Sequence, residues 1–183
     1  MDRGEESYRR FLNGEERELA TLLRLYREGL VLFIDGYVHS VADAEDLAEE
    51  VFVKLCVKKP PYKNAASFKT WLFTIGKRLA IDHLRRQKRL GTEEADEALP
   101  DEKRDVERAY LKKERDEAVL SALQKLPPED ARVLFLTYFE GLPRKEAGKV
   151  LGKSAHAVET QLWRAKKALR DLLEQEGFEY ENL

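Results

Sequence analysis

The sequence predicts an all-α protein of two small helical domains joined by an acidic flexible linker, the C-terminal one a helix-turn-helix domain. Three observations carry that prediction. Apolar residues recur at three- and four-residue intervals through several long stretches. Proline pairs at 60–61 and 127–128 punctuate those stretches. Charge alternates in blocks: residues 1–57 hold 13 acidic and 7 basic side chains, and 58–89 hold 10 basic and only Asp82 acidic. Residues 91–107 then hold 8 acidic and 2 basic, and 142–170 hold 8 basic and 2 acidic. The formal charge of the 183 residues is only −2, so any attraction to a polyanion rests on the second and fourth blocks. The expected domains are 1–89, a linker at 90–105, and 106–183.

In the first domain, a helix is expected over about 15–38, with Leu19, Leu22, Leu23, Leu25, Tyr26, Leu30, Phe33 and Ile34 on its apolar face. Gly29 and Gly36 argue against an unbroken rod. A second helix is expected from Asp43, where Asp43, Glu45 and Asp46 suit the positive helix end; Leu47, Val51, Phe52 and Leu55 form its stripe. Pro60 and Pro61 close it and leave a loop containing Tyr62, Lys63, Asn64 and Ala65. Ser67 is placed to cap a third helix whose inward stripe is Phe68, Trp71, Leu72, Ile75 and Leu79, with Phe73 on another side. Lys69, Lys77, Arg78, Arg85, Arg86, Lys88 and Arg89 are then left for solvent or phosphate. Three such helices can bury one another's apolar faces, and rings beside cations can also stack on unpaired bases.

The run LGTEEADEALPDEKRDVE reads as the linker, either a passive tether or an acidic strand that imitates nucleic acid in a basic channel. Order is expected to resume near Val106. Val119, Ala122, Leu123 and Leu126 face inward at the end of one helix. The next spans about 129–140 and packs through Val133, Leu134, Leu136 and Tyr138–Phe139. Pro143 suits the first turn of a short helix ending near Leu151; Gly152 permits the turn and Ser154 caps the last helix. Val158, Leu162, Ala165 and Leu169 form that helix's stripe, with Glu159, Gln161, Lys166, Lys167 and Arg170 variously exposed. A short helix, a tight turn and a longer helix is the layout that places the second helix in a major groove.

Other classes find little support. Cys56 is the only cysteine, expected inside as a small hydrophobe. His39, His83 and His156 are scattered, so no metal or other cofactor is predicted. Glycine-loop and paired-histidine motifs are missing, the carboxylate pairs suit helix ends, and no catalytic residue is nominated. Neither a membrane span nor a signal-peptide core is seen, which predicts a cytoplasmic protein without direct membrane insertion.

Three stretches, DAEDLAEEVFVKL at 43–55, SFKTWLFTIGKRLAIDHLRRQKR at 67–89 and LPPEDARVLFLTYFEGLPRKEAGKVLGKSAHAVETQLWRAKKALR at 126–170, resemble in order and spacing the bacterial RNA polymerase sigma-70 superfamily. The resemblance runs from about 19 to 173 and is to its extracytoplasmic-function (ECF) group. It implies a non-catalytic specificity subunit that binds core RNA polymerase, recognises the −10 and −35 promoter elements and promotes melting. By this resemblance Asp46, Glu49, Glu50 and Phe52 support the polymerase contact, Phe52 mainly by shaping its helix. Tyr62, Lys63 and Asn64 belong to the loop that receives an extruded base of the melted non-template strand. Lys77, Arg78, Arg85, Arg86, Lys88 and Arg89 belong to the helix that grips the −10 region. Ser154, Ala155, His156, Glu159, Thr160, Arg164 and Lys167 belong to the helix that reads duplex DNA at −35. The family also implies association with the nucleoid within holoenzyme and, often, an inhibitory anti-sigma factor.

The family's helix-turn-helix phrase resembles EIAxxLGxSxGTVKxRLxRAR, where this chain has EAGKVLGKSAHAVETQLWRAK. His156 stands for glycine, Ala157 for threonine, Glu159 for lysine and Gln161 for arginine; Pro143 replaces a frequent polar cap. Two lost cations imply weaker phosphate attraction, or a different −35 preference with Glu159 accepting from cytosine. A duplex-binding regulator and a polymerase-binding adaptor that does not initiate remain the alternatives.

Overall fold

Two serines begin two of the helices, Ser67 as the sequence proposes and Ser40 ahead of the start expected at Asp43. The Ser40 side chain accepts from the Asp43 N–H at 3.3 Å, and that of Ser67 from the Thr70 N–H at 3.2 Å. The computed structural model describes residues 3–91, 122–123 and 125–175. Its α-helices are α1 (Arg3–Leu12), α2 (Arg17–Val38), α3 (Val41–Lys58), α4 (Phe68–Leu90), α5 (Pro128–Leu134), α6 (Arg144–Leu151) and α7 (Ala155–Gln175). A π-helical turn, Phe135–Phe139, continues α5. The chain divides into two compact units, one built on α1–α4 and one on the C-terminal helices. The expected linker from 92 onward, the restart near Val106 and the inward Val119 lie outside the described residues.

The first unit is a four-helix arrangement, which corrects the expectation of three. Helix α1 buries Gly4, Ser7, Tyr8 and Phe11, spaced i, i+3, i+4, i+7. Half of that stripe is Gly and Ser, so a search for apolar periodicity passes over it. Helix α2 runs unbroken through Gly29 and Gly36 because its side chains are clamped from several directions: Leu22, Leu30 and Ile34 are completely buried, and α1, α3 and α4 all pack on it. Gly76 of α4 permits one of these crossings. A Cβ there would lie 2.8 Å from Leu30 Cδ1.

Helix α4 packs on α1, α2 and α3, so its apolar sector is broader than one stripe. Phe73, placed on another side by the sequence reading, is fully buried with its ring 5.3 Å from that of Phe33. Trp71 is only half-buried, and Cys56, expected inside, is exposed. The cause of the last is geometric. Ala44, Leu47, Ala48, Val51, Phe52 and Leu55 fill the inner face of α3, which turns Val53, Cys56 and Val57 outward.

In the second unit, α5 starts within the proline pair, Pro127 preceding it and Pro128 its first residue, with Glu129 and Asp130 in its first turn. Thr137 Oγ1 donates back to the Val133 carbonyl at 2.7 Å, and the Glu140 N–H reaches the Phe135 carbonyl at 3.0 Å in the wider π register. Val133, Leu134 and Leu136 are buried as expected, whereas Tyr138 is 56% exposed because the added residue in the turn rotates it outward. The Tyr138 ring carries Lys166 Nζ 4.8 Å from its centroid. Pro143 stands just ahead of α6, where its carbonyl accepts from Glu146 and Ala147.

Candidate nucleic-acid interface

Helix α3 exposes Asp46 and Glu49, leaves Glu50 partly covered and buries Phe52. Arg27 lies 3.5 Å from Glu45 and 3.7 Å from Glu49, and Lys54 lies 3.0 Å from Glu50. These pairs are open to water and contribute little to stability. The same face carries Val53 at 56% and Val57 at 74% exposure, so a mixed acidic and apolar surface results. The sequence reading nominated Phe52 and passed over Val53 and Val57; extending the stripe of α3 by one residue in phase separates them.

The loop between α3 and α4 is pinned from both sides. Tyr8 Oη donates to the Pro60 carbonyl at 2.7 Å, and Tyr62 Oη donates to the Ala66 carbonyl at 2.5 Å. Burial of Tyr8 pushes its phenol up to about 12. Tyr62 is half-buried, its ring 5.4 Å from Trp71 and 5.7 Å from Phe68. Between these fastenings Lys63 and Asn64 are exposed, and Asn64 occupies the left-handed region at φ 53°. Asparagine tolerates that conformation better than other side-chain-bearing residues. Asn64 Nδ2 donates to Glu5 Oε1 of α1 at 3.0 Å.

Along α4, Arg78, Arg85, Arg86, Lys88 and Arg89 are exposed and Lys77 is half-buried. Arg78, Arg85 and Arg89 follow i, i+7, i+11 and make one basic edge about 16 Å long. Arg85 lies 3.7 Å from Asp82, and Arg89 Nε donates to the Arg85 carbonyl at 3.2 Å.

The turn from α6 into α7 has a left-handed Gly152 at φ 75° and a hydrogen bond from the Lys153 N–H to the Gly148 carbonyl at 2.9 Å. Ser154 Oγ caps α7 by accepting from the Ala157 N–H at 3.1 Å. Val158, Leu162 and Ala165 face the core, and Ser154, Ala155, His156, Glu159, Thr160, Arg164 and Lys167 are all exposed. Glu159 Oε1 lies 3.7 Å from the Arg144 guanidinium, both ends open to water. Trp163, 70% exposed, falls on the same outer face at i+4 from Glu159 and i+7 from His156. It was missed because the sequence reading assigned that face by charge alone.

Gln161 is the main correction here. Expected on the exposed side, it is 4% exposed, because it lies in phase with Val158 and Ala165. Its Nε2 donates to Asp130 Oδ1 at 2.8 Å, and its Oε1 accepts from Lys153 Nζ at 2.7 Å. Lys153 also donates to Glu129 Oε2 at 2.6 Å, which holds that carboxyl below its usual range. Gln161 is therefore a buried tie between α7 and the start of α5.

Residues 22–90 match the family model for sigma-70 region 2, and residues 116–169 that for sigma-70 region 4. The chain is 30% identical over 152 residues to RNA polymerase sigma factor YlaC of Bacillus subtilis (strain 168), covering 81% of this chain and 88% of that protein. It is 27% identical over 176 residues to the ECF RNA polymerase sigma factor SigW of the same organism, covering 87% and 91%. Among solved structures, the sigma factor RpoE bound to the anti-sigma factor NepR from Bartonella quintana shares the fold with a TM-score of 0.65 at 20% identity, covering 86% of this chain and 98% of that one. The chain belongs to the bacterial sigma-70 superfamily, in its ECF group. It is thus an RNA polymerase sigma factor, a promoter-specificity subunit with no catalysis of its own. Among the described residues, no helix is long and apolar enough to cross a membrane.

Proposed function

We propose that the two units divide promoter recognition between unpaired and paired DNA. The observation that carries this reading is the contrast between the two surfaces. The first unit places a pinned, partly aromatic loop beside a basic helix, while the second presents the outer face of a capped helix after a tight turn. In the first, Tyr62, Lys63 and Asn64 receive a base of the −10 non-template strand. Lys77, Arg78, Arg85, Arg86, Lys88 and Arg89 hold the backbone, so that attraction comes from phosphate and selection from the loop. In the second, Ser154, Ala155, His156, Glu159 and Thr160 approach the −35 major groove, with Arg164 and Lys167 on phosphate. Asp46, Glu49 and Glu50 offer carboxylates to a basic surface of core polymerase, and buried Phe52 anchors α3 in the core beneath them. An anti-sigma factor, such as the one seated on RpoE, is the expected inhibitory partner, and the cytoplasm the expected compartment.

The test is transcription by purified core polymerase from the source organism on fragmented genomic DNA, with and without this protein, mapping transcript starts. New starts sharing two upstream elements are expected. Duplex binding without core binding, or tight core binding with no new starts, would count against the reading.

A further inference from the structure

We propose that Glu5 of α1 is a positioning residue that fixes which hydrogen-bonding end of Asn64 the loop offers to an unpaired base. This rests on assigning the Tyr62–Ala66 loop to the melted strand. Asn64 carries an amide with a donor end and an acceptor end, and turning it over exchanges the two. An ionised carboxylate only accepts. The 3.0 Å contact between Asn64 and Glu5 Oε1 is therefore made by the Asn64 NH2 group, and the amide cannot be reversed without setting two acceptors against each other. With one Nδ2 hydrogen on Glu5, Oδ1 is held on the opposite side of the amide as its acceptor end, and Asn64 itself is exposed.

The rest of the loop supports a fixed presentation. Tyr8 fastens Pro60 to the same helix that carries Glu5, one turn further along α1, and Tyr62 closes the loop on Ala66. At the tip, Asn64 has a left-handed backbone and its side chain reaches α1 through Glu5. Helix α1 thus holds both the loop's stem and its reading group.

Adenine and cytosine carry an exocyclic amino donor where guanine and thymine carry an oxo acceptor. An outward Oδ1 set against that exocyclic position accepts from the amino bases and repels the oxo bases, whose own donors, guanine N1–H and N2–H and thymine N3–H, lie further along the edge. The loop should then favour adenine or cytosine over guanine or thymine at one position of the unpaired strand, by about fivefold for one net hydrogen bond.

The experiment uses holoenzyme assembled from core polymerase and the full chain, on fork-junction DNA whose unpaired −10 strand carries each of the four bases at each position in turn. Wild type is expected to prefer the amino bases at one position. Glu5→Lys, a donor in place of an acceptor, should turn the Asn64 amide over and reverse the preference there. Glu5→Gln, which can meet either end, should bring it close to one. A purely supporting role for Glu5 would lower affinity for all four bases together and leave their ratio alone. An unchanged ratio in both variants overturns the proposal, as does a wild type indifferent to amino and oxo bases everywhere. Should wild-type holoenzyme bind no fork DNA whatever, the promoter reading itself falls, an outcome separable from the other two because it precedes any comparison of bases.

Discussion

Gln161 Nε2 donates to Asp130 Oδ1 at 2.8 Å, joining the middle of α7 to the first turn of α5. The position is 4% exposed, and Lys153 completes the amide's partners at 2.7 Å. Replacing Gln161 by Leu keeps the volume but strands the polar atoms around it. A loss of about 1–3 kcal/mol in the stability of the C-terminal unit is expected. Urea unfolding of the full chain, followed by Trp163 fluorescence in a Trp71→Phe background, measures it. An unchanged midpoint would mean that Asp130 and Lys153 find other partners at no cost.

Tyr8 links stability to alkaline pH. Its phenol is raised to about 12 in the folded chain against an ordinary value near 10. Below pH 10 both states keep the proton and stability does not depend on this group. Between pH 10 and about 12 the unfolded chain releases the proton while the folded chain keeps it, so stability falls as pH rises. Tyr8→Phe should remove this part of the slope. It should also cost roughly 1 kcal/mol at neutral pH through the lost bond to the Pro60 carbonyl. Parallel urea titrations of the two proteins from pH 8 to 12 would show the difference, and identical alkaline slopes would refute the assignment.

How much of this was legible beforehand differs by element. Helices α2, α3, α4 and α7 declare themselves through long apolar stripes, and Ser40, Ser67 and Ser154 all cap. Ser67 and Ser154 were expected to do so, while α3 starts two residues earlier than Asp43 because Ser40 takes the cap. Helix α1 hid because Gly4 and Ser7 fill half its inner face, and with it went Tyr8, Phe11 and the Glu5 contact to Asn64. On exposed faces, charge marked the basic edge of α4 but not Val53, Val57 or Trp163. Gln161 was misjudged because polarity was read as exposure, although its phase with Val158 and Ala165 placed it inside.

Gly148 stands where the family phrase has alanine, and its role is visible only in three dimensions. A Cβ at 148 would lie 2.5 Å from the Lys153 carbonyl oxygen, a backbone atom that cannot swing aside. Gly148→Ala gains about 1 kcal/mol of helix propensity and loses more by forcing the α6–α7 turn open. A lower melting temperature is expected, together with weaker binding to −35 duplex as α7 is re-aimed. Thermal unfolding and duplex titration report the two effects separately. A stabilised protein with unchanged duplex affinity would show that the turn relaxes freely.

Glu159 is the position where charge and specificity can be told apart. Its carboxylate lies 3.7 Å from Arg144 with both ends open to water, so the pair is weak and Glu159 stays available to a base. Glu159→Lys removes an anion from the helix proposed to read −35 and adds a cation. Duplex affinity should rise at low salt, and the dependence of log K on log salt should steepen by about one. Those two changes follow from phosphate attraction whatever Glu159 reads. The further expectation, from a carboxylate accepting the cytosine amino group, is that preference at one −35 position moves away from cytosine. Affinity measured across a −35 library at two salt concentrations separates them. A uniform rise with the same ranking of sequences would leave Glu159 as a charge that tunes attraction, and a reordered ranking would make it a reader of sequence.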